Sequence, residues 1–193
     1  MKSYTEYWAA MMVRGVLAIV AAMAVLVIPQ MASTILLRPF AVVMSICVLG
    51  AYGTMDSAIV LVSSFMIPRC RPGRWALQVQ GLAGAVIGAL LFSLVFKGVD
   101  LHLFVYLAAL HAAGLAISEF IVARGTSVHH GEGWCYASAG IAAVSVVALL
   151  CGRNLEPRQL AWLIYGYLGV FGFNLFAVAA RMLFAERHAA AEA

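Results

Sequence analysis

Six apolar segments, each about as long as a membrane-spanning helix, are the strongest constraint on how this chain folds. They cover residues 9–28, 40–63, 75–96, 101–123, 134–151 and 159–182. A helix needs about 20 predominantly apolar residues to cross a bilayer. Only 10% of the 193 residues are charged, against roughly 25% in soluble domains. The sequence therefore predicts an all-α polytopic membrane protein with six transmembrane helices in one integral domain, residues 1–193, whose surroundings are the lipid bilayer.

Short links rich in Pro, Gly and charged residues separate the segments. Pro29 ends the first segment, Arg38-Pro39 opens the second, and Lys97-Gly98-Val99-Asp100 joins the third to the fourth. Links this short force neighbouring helices to run antiparallel. We therefore expect a bundle of packed helices with no soluble domain.

Lys and Arg residues are distributed unequally between the two ends of the predicted helices. Eight lie at the end that carries both chain termini: Lys2, Arg14, Arg69, Arg71, Arg74, Arg124, Arg181 and Arg187. Four lie at the opposite end: Arg38, Lys97, Arg153 and Arg158. Because cytoplasmic loops carry an excess of Lys and Arg, we expect both termini in the cytoplasm. The basic residues form no clustered face, so we expect no nucleic-acid partner.

A spacing of Trp, Gly and a polar residue recurs three times along the chain. The three copies are Trp8…Gly15…Asp56, Trp75…Gly81…Glu119 and Trp134…Gly140…Asn174. Each copy covers two predicted helices, in units of about residues 8–67, 75–124 and 134–184. A fixed internal period is typical of repeat architectures, so the pattern predicts one helical hairpin built three times.

Five polar residues fall at a similar predicted depth in the cytoplasmic half of the bilayer. They are Arg14, Asp56, Gln80, Glu119 and Asn174. Arg14, for example, lies six residues past Trp8, about 9 Å along a helix that rises about 1.5 Å per residue. An ionisable residue inside a spanning helix costs about 2.5–3.5 kcal/mol. Other groups must offset that cost, which makes this polar layer the candidate functional site.

Two interpretations of the polar layer stay open. In the structural one, Arg14 pairs with Asp56. Gln80 then bonds Glu119 and Asn174, and each such contact stabilises the bundle by about 0.6 kcal/mol on average. In the functional one, a polar cavity opens to the cytoplasm, and Glu119 has no matched cation. A carboxyl group in that position could carry protons or hold a cationic ligand.

Histidines occur at two places where they could contribute chemistry. His111 lies eight residues before Glu119 on a broad shared helical face, which favours an interhelical hydrogen bond, with a proton relay as the alternative. His129-His130-Gly131-Glu132 has metal-ligand chemistry, but a metal site needs three or four fixed ligands. We therefore expect a solvated loop there, with no metal and no cofactor.

Glycines recur at helical spacing in two of the segments. Gly81, Gly84 and Gly88 lie in the third segment, and Gly166, Gly169 and Gly172 lie in the sixth. Small residues at such intervals let membrane helices approach closely. We expect internal packing faces, with a homo-oligomer interface between copies of the chain as the alternative.

The first repeat unit carries a distinctive arrangement of residues. Trp8 is followed by the run Val13-Arg14-Gly15-Val16-Leu17-Ala18, and Asp56 lies in the next segment. This arrangement resembles the first unit of the HdeD-like acid-resistance membrane proteins, and the resemblance extends over about residues 8–184. One departure is Asn174, which stands where an acidic residue is expected. The resemblance implies a six-helix, repeat-built protein of the inner membrane that is associated with stress and acid resistance.

Motifs of soluble enzymes are missing from the sequence. It contains no G-x-S-x-G, no P-loop, no H-E-x-x-H and no dinucleotide fingerprint, so we expect a non-enzymatic protein. One alternative is a small proton or solute conduit that uses Asp56, Glu119 and His111. A second is an intramembrane enzyme that acts on a lipid or isoprenoid with the same carboxylates.

Overall fold

Six long α-helices make up nearly all of the computed structural model, which describes residues 7–31, 38–66, 72–98, 100–125 and 132–191. The helices are α1 (Tyr7–Met31), α2 (Arg38–Met66), α3 (Pro72–Lys97), α4 (Leu101–Gly125), α5 (Glu132–Cys151) and α6 (Pro157–Ala191). All six are long and apolar enough to cross a membrane, and the described residues contain no strand. The predicted all-α, six-helix membrane fold is confirmed.

Local sequence signals explain where several of these helices begin and end. Oδ1 of Asp100 accepts hydrogen bonds from two backbone N–H groups in the first turn of α4, which is the action of an N-cap. Gly98, directly after α3, has a φ of 98°, a value that glycine adopts without strain. At the start of α6, the backbone N–H of Glu156 donates to Oε1 of Gln159 at 3.3 Å, which is one half of a capping box.

Two prolines mark helix ends that lie outside the predicted segments. Pro29 does not end the first helix, because α1 continues to Met31. A proline this near the end of a helix removes one hydrogen bond without interrupting a long remaining stretch. Pro72 lies inside the third helix as its first residue, where the missing N–H would have had no helical partner.

The six helices form a closed ring in chain order. Each helix packs against its neighbours in the chain, and α6 also packs against α1. The most extensive contacts join α2 to α3, α1 to α6 and α4 to α5, so each of them links helices from different predicted hairpins. The three-hairpin repeat itself stays a prediction. Large apolar side chains such as Val86, Val144 and Phe173 are exposed on the outside of the ring, which is the surface that lipid would cover.

Two ends of the ring can be told apart. The start of α1 and the last turns of α6 lie at the termini end, and the links from α3 to α4 and from α5 to α6 lie at the far end. The largest cluster of buried apolar side chains occupies the far half, with Leu91, Phe104 and Leu149 among its members. A smaller apolar cluster around Met11 and Phe171 lies nearer the termini end.

Glycine permits the closest approach between α1 and α6. A Cβ atom placed on Gly15 would lie 2.8 Å from the carbonyl oxygen of Gly172, and one on Gly172 would lie 2.8 Å from that of Gly15. Neither position has room for a larger residue unless the two backbones separate. These two glycines therefore allow the close contact between α1 and α6 that completes the ring. Gly15 directly follows Arg14 in the sequence.

The other predicted glycines divide into two groups. Gly81, Gly84 and Gly88 face α2, and a Cβ atom on Gly88 would lie 3.2 Å from the carbonyl oxygen of Gly50. By contrast, a Cβ atom placed on Gly166 or on Gly169 would meet no neighbouring atom of the described residues within 4 Å. The glycines of α3 thus pack inside the ring, whereas only Gly172 does so on α6.

Candidate functional site

The guanidinium group of Arg14 joins three helices inside the ring. Its Nε donates to Oδ1 of Asp56 at 2.7 Å, and its Nη2 donates to Oδ2 of the same carboxylate at 3.3 Å. Its Nη1 donates to Oε1 of Glu119 at 3.2 Å. We call these three residues the ion cluster. Arg14 of α1 forms the predicted pair with Asp56 of α2 and also reaches across the ring to α4.

The ion cluster is almost completely buried. No more than 2% of any of its three side chains is exposed. Paired and hydrogen-bonded charges are the form in which ionised groups persist inside a protein, and the planar fork of arginine matches the geometry of a carboxylate. The contact between Arg14 and Glu119 corrects the expectation that Glu119 has no matched cation.

The charges of the ion cluster do not balance. One guanidinium faces two carboxyl groups, so the fully ionised cluster has a formal charge of −1. Within the described residues, Oε2 of Glu119 is buried and has no hydrogen-bond partner. The excess negative charge and the partnerless oxygen therefore coincide at Glu119.

Gln80 and Asn174 are the remaining members of the predicted polar layer. Both are buried. Asn174 donates from Nδ2 to Oγ of Ser138 on α5, and Oε1 of Gln80 has no partner in the described part of the chain. The predicted bond from Gln80 to Glu119 is wrong: among the described residues Oε1 of Glu119 accepts from Arg14, and its Oε2 has no partner.

A cavity lies beside the ion cluster on its far side, which we call the far-half cavity. Its water-accessible volume is about 40 Å³. Its walls come from α2 through α6 and are mostly apolar. Three of the lining residues carry a buried polar atom that has no hydrogen-bond partner among the described residues: the hydroxyls of Tyr52 and Tyr167 and Nε2 of His111.

The charges of the ion cluster act on polar residues that line the far-half cavity. The charges of Asp56 and Arg14 are close enough to act on Tyr52, on His111 and on Tyr167. His111 lies about 12 Å from Glu119 along α4, at about 1.5 Å per residue. The side chain of His111 thus belongs to the cavity wall, at a distance from the carboxyl groups of the cluster.

Toward the termini end the ion cluster meets a narrow crevice, which we call the termini-side crevice. It is lined by Ala10, Met11, Val60, Ser63 and Leu77, with Arg14 itself as the remaining member. Its water-accessible volume is close to 0 Å³. At the termini end, where the sequence predicts a polar cavity, the described residues form this tight crevice, and the space for water lies on the opposite side of the cluster.

The remaining candidate for chemistry is the histidine loop. His129 and His130 lie outside the described residues. In the part of the chain that the structure describes, no three His, Cys, Asp or Glu side chains come together in a way that could hold a metal ion.

The sequence does not predict that Tyr52 and Tyr167 belong to the site. The predicted polar layer contains only charged, amide and imidazole side chains, and a tyrosine in an apolar helix is typical of the core. A signal existed, since Tyr52 lies four residues before Asp56 and thus one turn away on the same helical face.

The sequence matches no protein-family model and no curated protein, and no solved structure matches the chain. The length and composition of the six helices define a multi-pass integral membrane protein. What the protein does has to be inferred from the ion cluster and the cavity.

Proposed function

We propose that this is a non-enzymatic protein of the inner membrane, with both termini in the cytoplasm, that takes up one proton at the ion cluster when its surroundings acidify. The role in acid stress is supported by the resemblance of residues 8–184 to the HdeD-like proteins. The site itself is supported by the geometry around Arg14. The orientation is supported by the eight of twelve basic residues that lie at the termini end, the side that the cytoplasmic excess of Lys and Arg marks.

The charge imbalance of the cluster carries the proposal. A charge inside a spanning helix is stable only when an opposite charge or a polar partner compensates it. Arg14 compensates one carboxylate, and one proton compensates the other. Oε2 of Glu119 is free of hydrogen bonds to the described residues, so it is the atom that the proton would occupy.

Infrared spectroscopy of the protein in lipid nanodiscs tests this proposal. Lowering the pH should increase the intensity of the carbonyl stretching band that belongs to one buried, protonated carboxylic acid. Glu119→Gln and Asp56→Asn should each remove that band, because either variant leaves Arg14 with a single carboxylate and a neutral cluster. Glu156→Gln is the matched control, since Glu156 is an exposed carboxyl residue, and it should keep the band.

Two results would count against this function. A buried carboxylic-acid band that persists in both Glu119→Gln and Asp56→Asn would place the proton elsewhere. A wild-type protein that shows no such band down to the pH at which it unfolds would leave the cluster a structural ion pair.

A second function, a proton or small-solute conduit, is favoured by one observation. The far-half cavity, the ion cluster and the termini-side crevice follow one another along the interior of the ring. In proteoliposomes with an imposed pH gradient, such a conduit should give proton flux that falls in Glu119→Gln and Asp56→Asn. Flux that is unchanged in both variants, or absent from the wild type, would reject the conduit while leaving proton uptake intact.

A further inference from the structure

Polar atoms without partners among the described residues are concentrated at the far-half cavity. The hydroxyl of Tyr52 comes from α2, Nε2 of His111 from α4 and the hydroxyl of Tyr167 from α6. Only 5% of Tyr52 is exposed. Buried hydroxyl and imidazole groups are nearly always hydrogen-bonded, to protein or to ordered water. Three such atoms from three helices on one cavity wall therefore call for a common partner.

The size of the cavity decides which partner fits. About 40 Å³ is accessible to water, and a buried water needs about 10–15 Å³ measured in this way. The cavity thus has room for about three waters. Cavities that stay dry are lined by apolar atoms alone, whereas a buried water requires two to four polar partners. Tyr52, His111 and Tyr167 line the cavity, and each carries one polar atom that a water at this wall could bond.

The position of the cavity gives these waters a role. Tyr52 lies one turn from Asp56 toward the far end, and the charges of Asp56 and Arg14 act on all three polar groups. On the other side of the cluster, the termini-side crevice is too tight for water. Of these two spaces, the one with room for water therefore lies on the far side of the cluster.

We propose that the far-half cavity is a water-binding site, in which Tyr52, His111 and Tyr167 hold a short cluster of water molecules that delivers the proton to the ion cluster from the far end. The presence of water follows from the cavity alone. The direction of delivery rests on the proposed proton uptake at Glu119.

The groups that surround Glu119 are consistent with delivery from this side. Arg14 of α1 and Asp56 of α2 are the charges that act on it, and the described parts of α3 and α5 contribute none of those charges. Tyr167 of α6 and His111 of its own helix lie toward the far side. The charges that act on this carboxyl group therefore come from α1 and α2, whereas the residues on its cavity side are a tyrosine and a histidine.

Radiolytic hydroxyl-radical labelling of the protein in nanodiscs tests the water site, because radicals formed from a bound water oxidise the side chains that touch it. Tyr52, Tyr167 and His111 should be oxidised, whereas Phe171, one turn from Tyr167 and fully buried, should not. Ala108→Leu fills the cavity with apolar atoms and should reduce the labelling of both tyrosines several-fold. Ala89→Leu is the matched control, because Ala89 is exposed on the outside of α3.

A second variant guards against misfolding of Ala108→Leu. Tyr52→Phe combined with Tyr167→Phe removes two of the three polar partners without adding volume, and it should lower the oxidation of His111. An absence of label at Tyr52, Tyr167 and His111 in the wild type would overturn the water site, whatever the infrared result.

The direction of delivery needs a one-sided measurement. Vesicles sorted by orientation with a C-terminal affinity tag receive an acid jump on one side only. The carboxylic-acid band should rise faster after a jump at the far side, and Ala108→Leu should slow that rise several-fold. A faster rise from the termini side would overturn the route. If the carboxylic-acid band is missing altogether, both the proton uptake and the route are overturned. The water site is then still tested by the hydroxyl-radical labelling.

Discussion

The ion cluster and the far-half cavity occupy neighbouring parts of the same ring, yet their buried polar groups differ in whether they bond other groups of the protein. In the cluster, charged groups from α1, α2 and α4 bond one another, and the adjoining crevice has no room for water. In the cavity, three polar atoms have no partner among the described residues, and there is space beside them. Two equally buried polar sites can therefore differ in character, according to whether other groups of the chain supply their hydrogen-bond partners.

The largest effect is expected from removing the cation of the ion cluster. Arg14→Met keeps an unbranched apolar stem but leaves two carboxyl groups buried without a counter-charge, and breaking a buried ion pair in this way costs about 3–5 kcal/mol. Unfolding in detergent, followed by circular dichroism, measures the loss.

Arg14→Lys is the matched variant for this first prediction. It keeps the positive charge but loses the planar fork that bonds both oxygens of Asp56, so it should lose less stability than Arg14→Met. Equal losses in both variants would mean that the shape of arginine, rather than its charge, maintains the cluster.

The next effect tests the seam between α1 and α6 that positions Arg14. Gly15→Ala would place a Cβ atom 2.8 Å from the carbonyl oxygen of Gly172, and overpacking of this kind costs about 1–3 kcal/mol. Gly166→Ala is the control, because that position has open space and alanine is the better helix former. A Gly15→Ala protein as stable as Gly166→Ala would show that the seam can widen without cost.

A smaller effect is expected from the hydrogen bond between Asn174 and Ser138. Asn174→Leu removes the donor to Ser138, and interhelical bonds in membranes stabilise by about 0.6 kcal/mol on average and about 1.7 at most. A double-mutant cycle with Ser138→Ala isolates the coupling energy. A coupling as large as the Arg14→Met effect would make this bond part of the cluster after all.

The smallest effect is expected in the far-half cavity. Tyr52→Phe removes a hydroxyl with no partner in the described chain, and only a water-mediated bond would be lost, so stability should change by less than about 1 kcal/mol. Thermal unfolding of Tyr52→Phe beside Tyr106→Phe, a variant of an exposed tyrosine, measures the difference. A loss above that of Asn174→Leu would reveal a direct protein partner for this hydroxyl.

Much of this molecule could be predicted from the sequence because its signals are local. Hydropathy over about 20 residues, the length that a spanning helix needs, identified all six helices. The Asp100 cap and the Gly98 turn follow from adjacent residues. The pairing of Arg14 with Asp56 followed from their shared depth and opposite charge.

The features that escaped prediction depend on how the helices are arranged. That Arg14 also reaches Glu119 requires α4 to face α1 across the ring, which no local pattern specifies. The cavity arises because side chains from five helices fail to fill a common space, and it lies on the far side of Arg14, opposite to the end at which the sequence predicts a cavity.

The long reach of Arg14 along the sequence has a consequence for how the protein is made. Asp56 follows Arg14 by 42 residues and Glu119 follows it by 105. At about 5–20 residues per second of synthesis, the first carboxylate leaves the ribosome roughly 2–8 s after Arg14 and the second roughly 5–21 s after it. During that interval α1 holds a cation that its final partners have not yet reached. Membrane insertion of this chain therefore includes a period in which α1 carries its cation before Asp56 and Glu119 are available to pair with it.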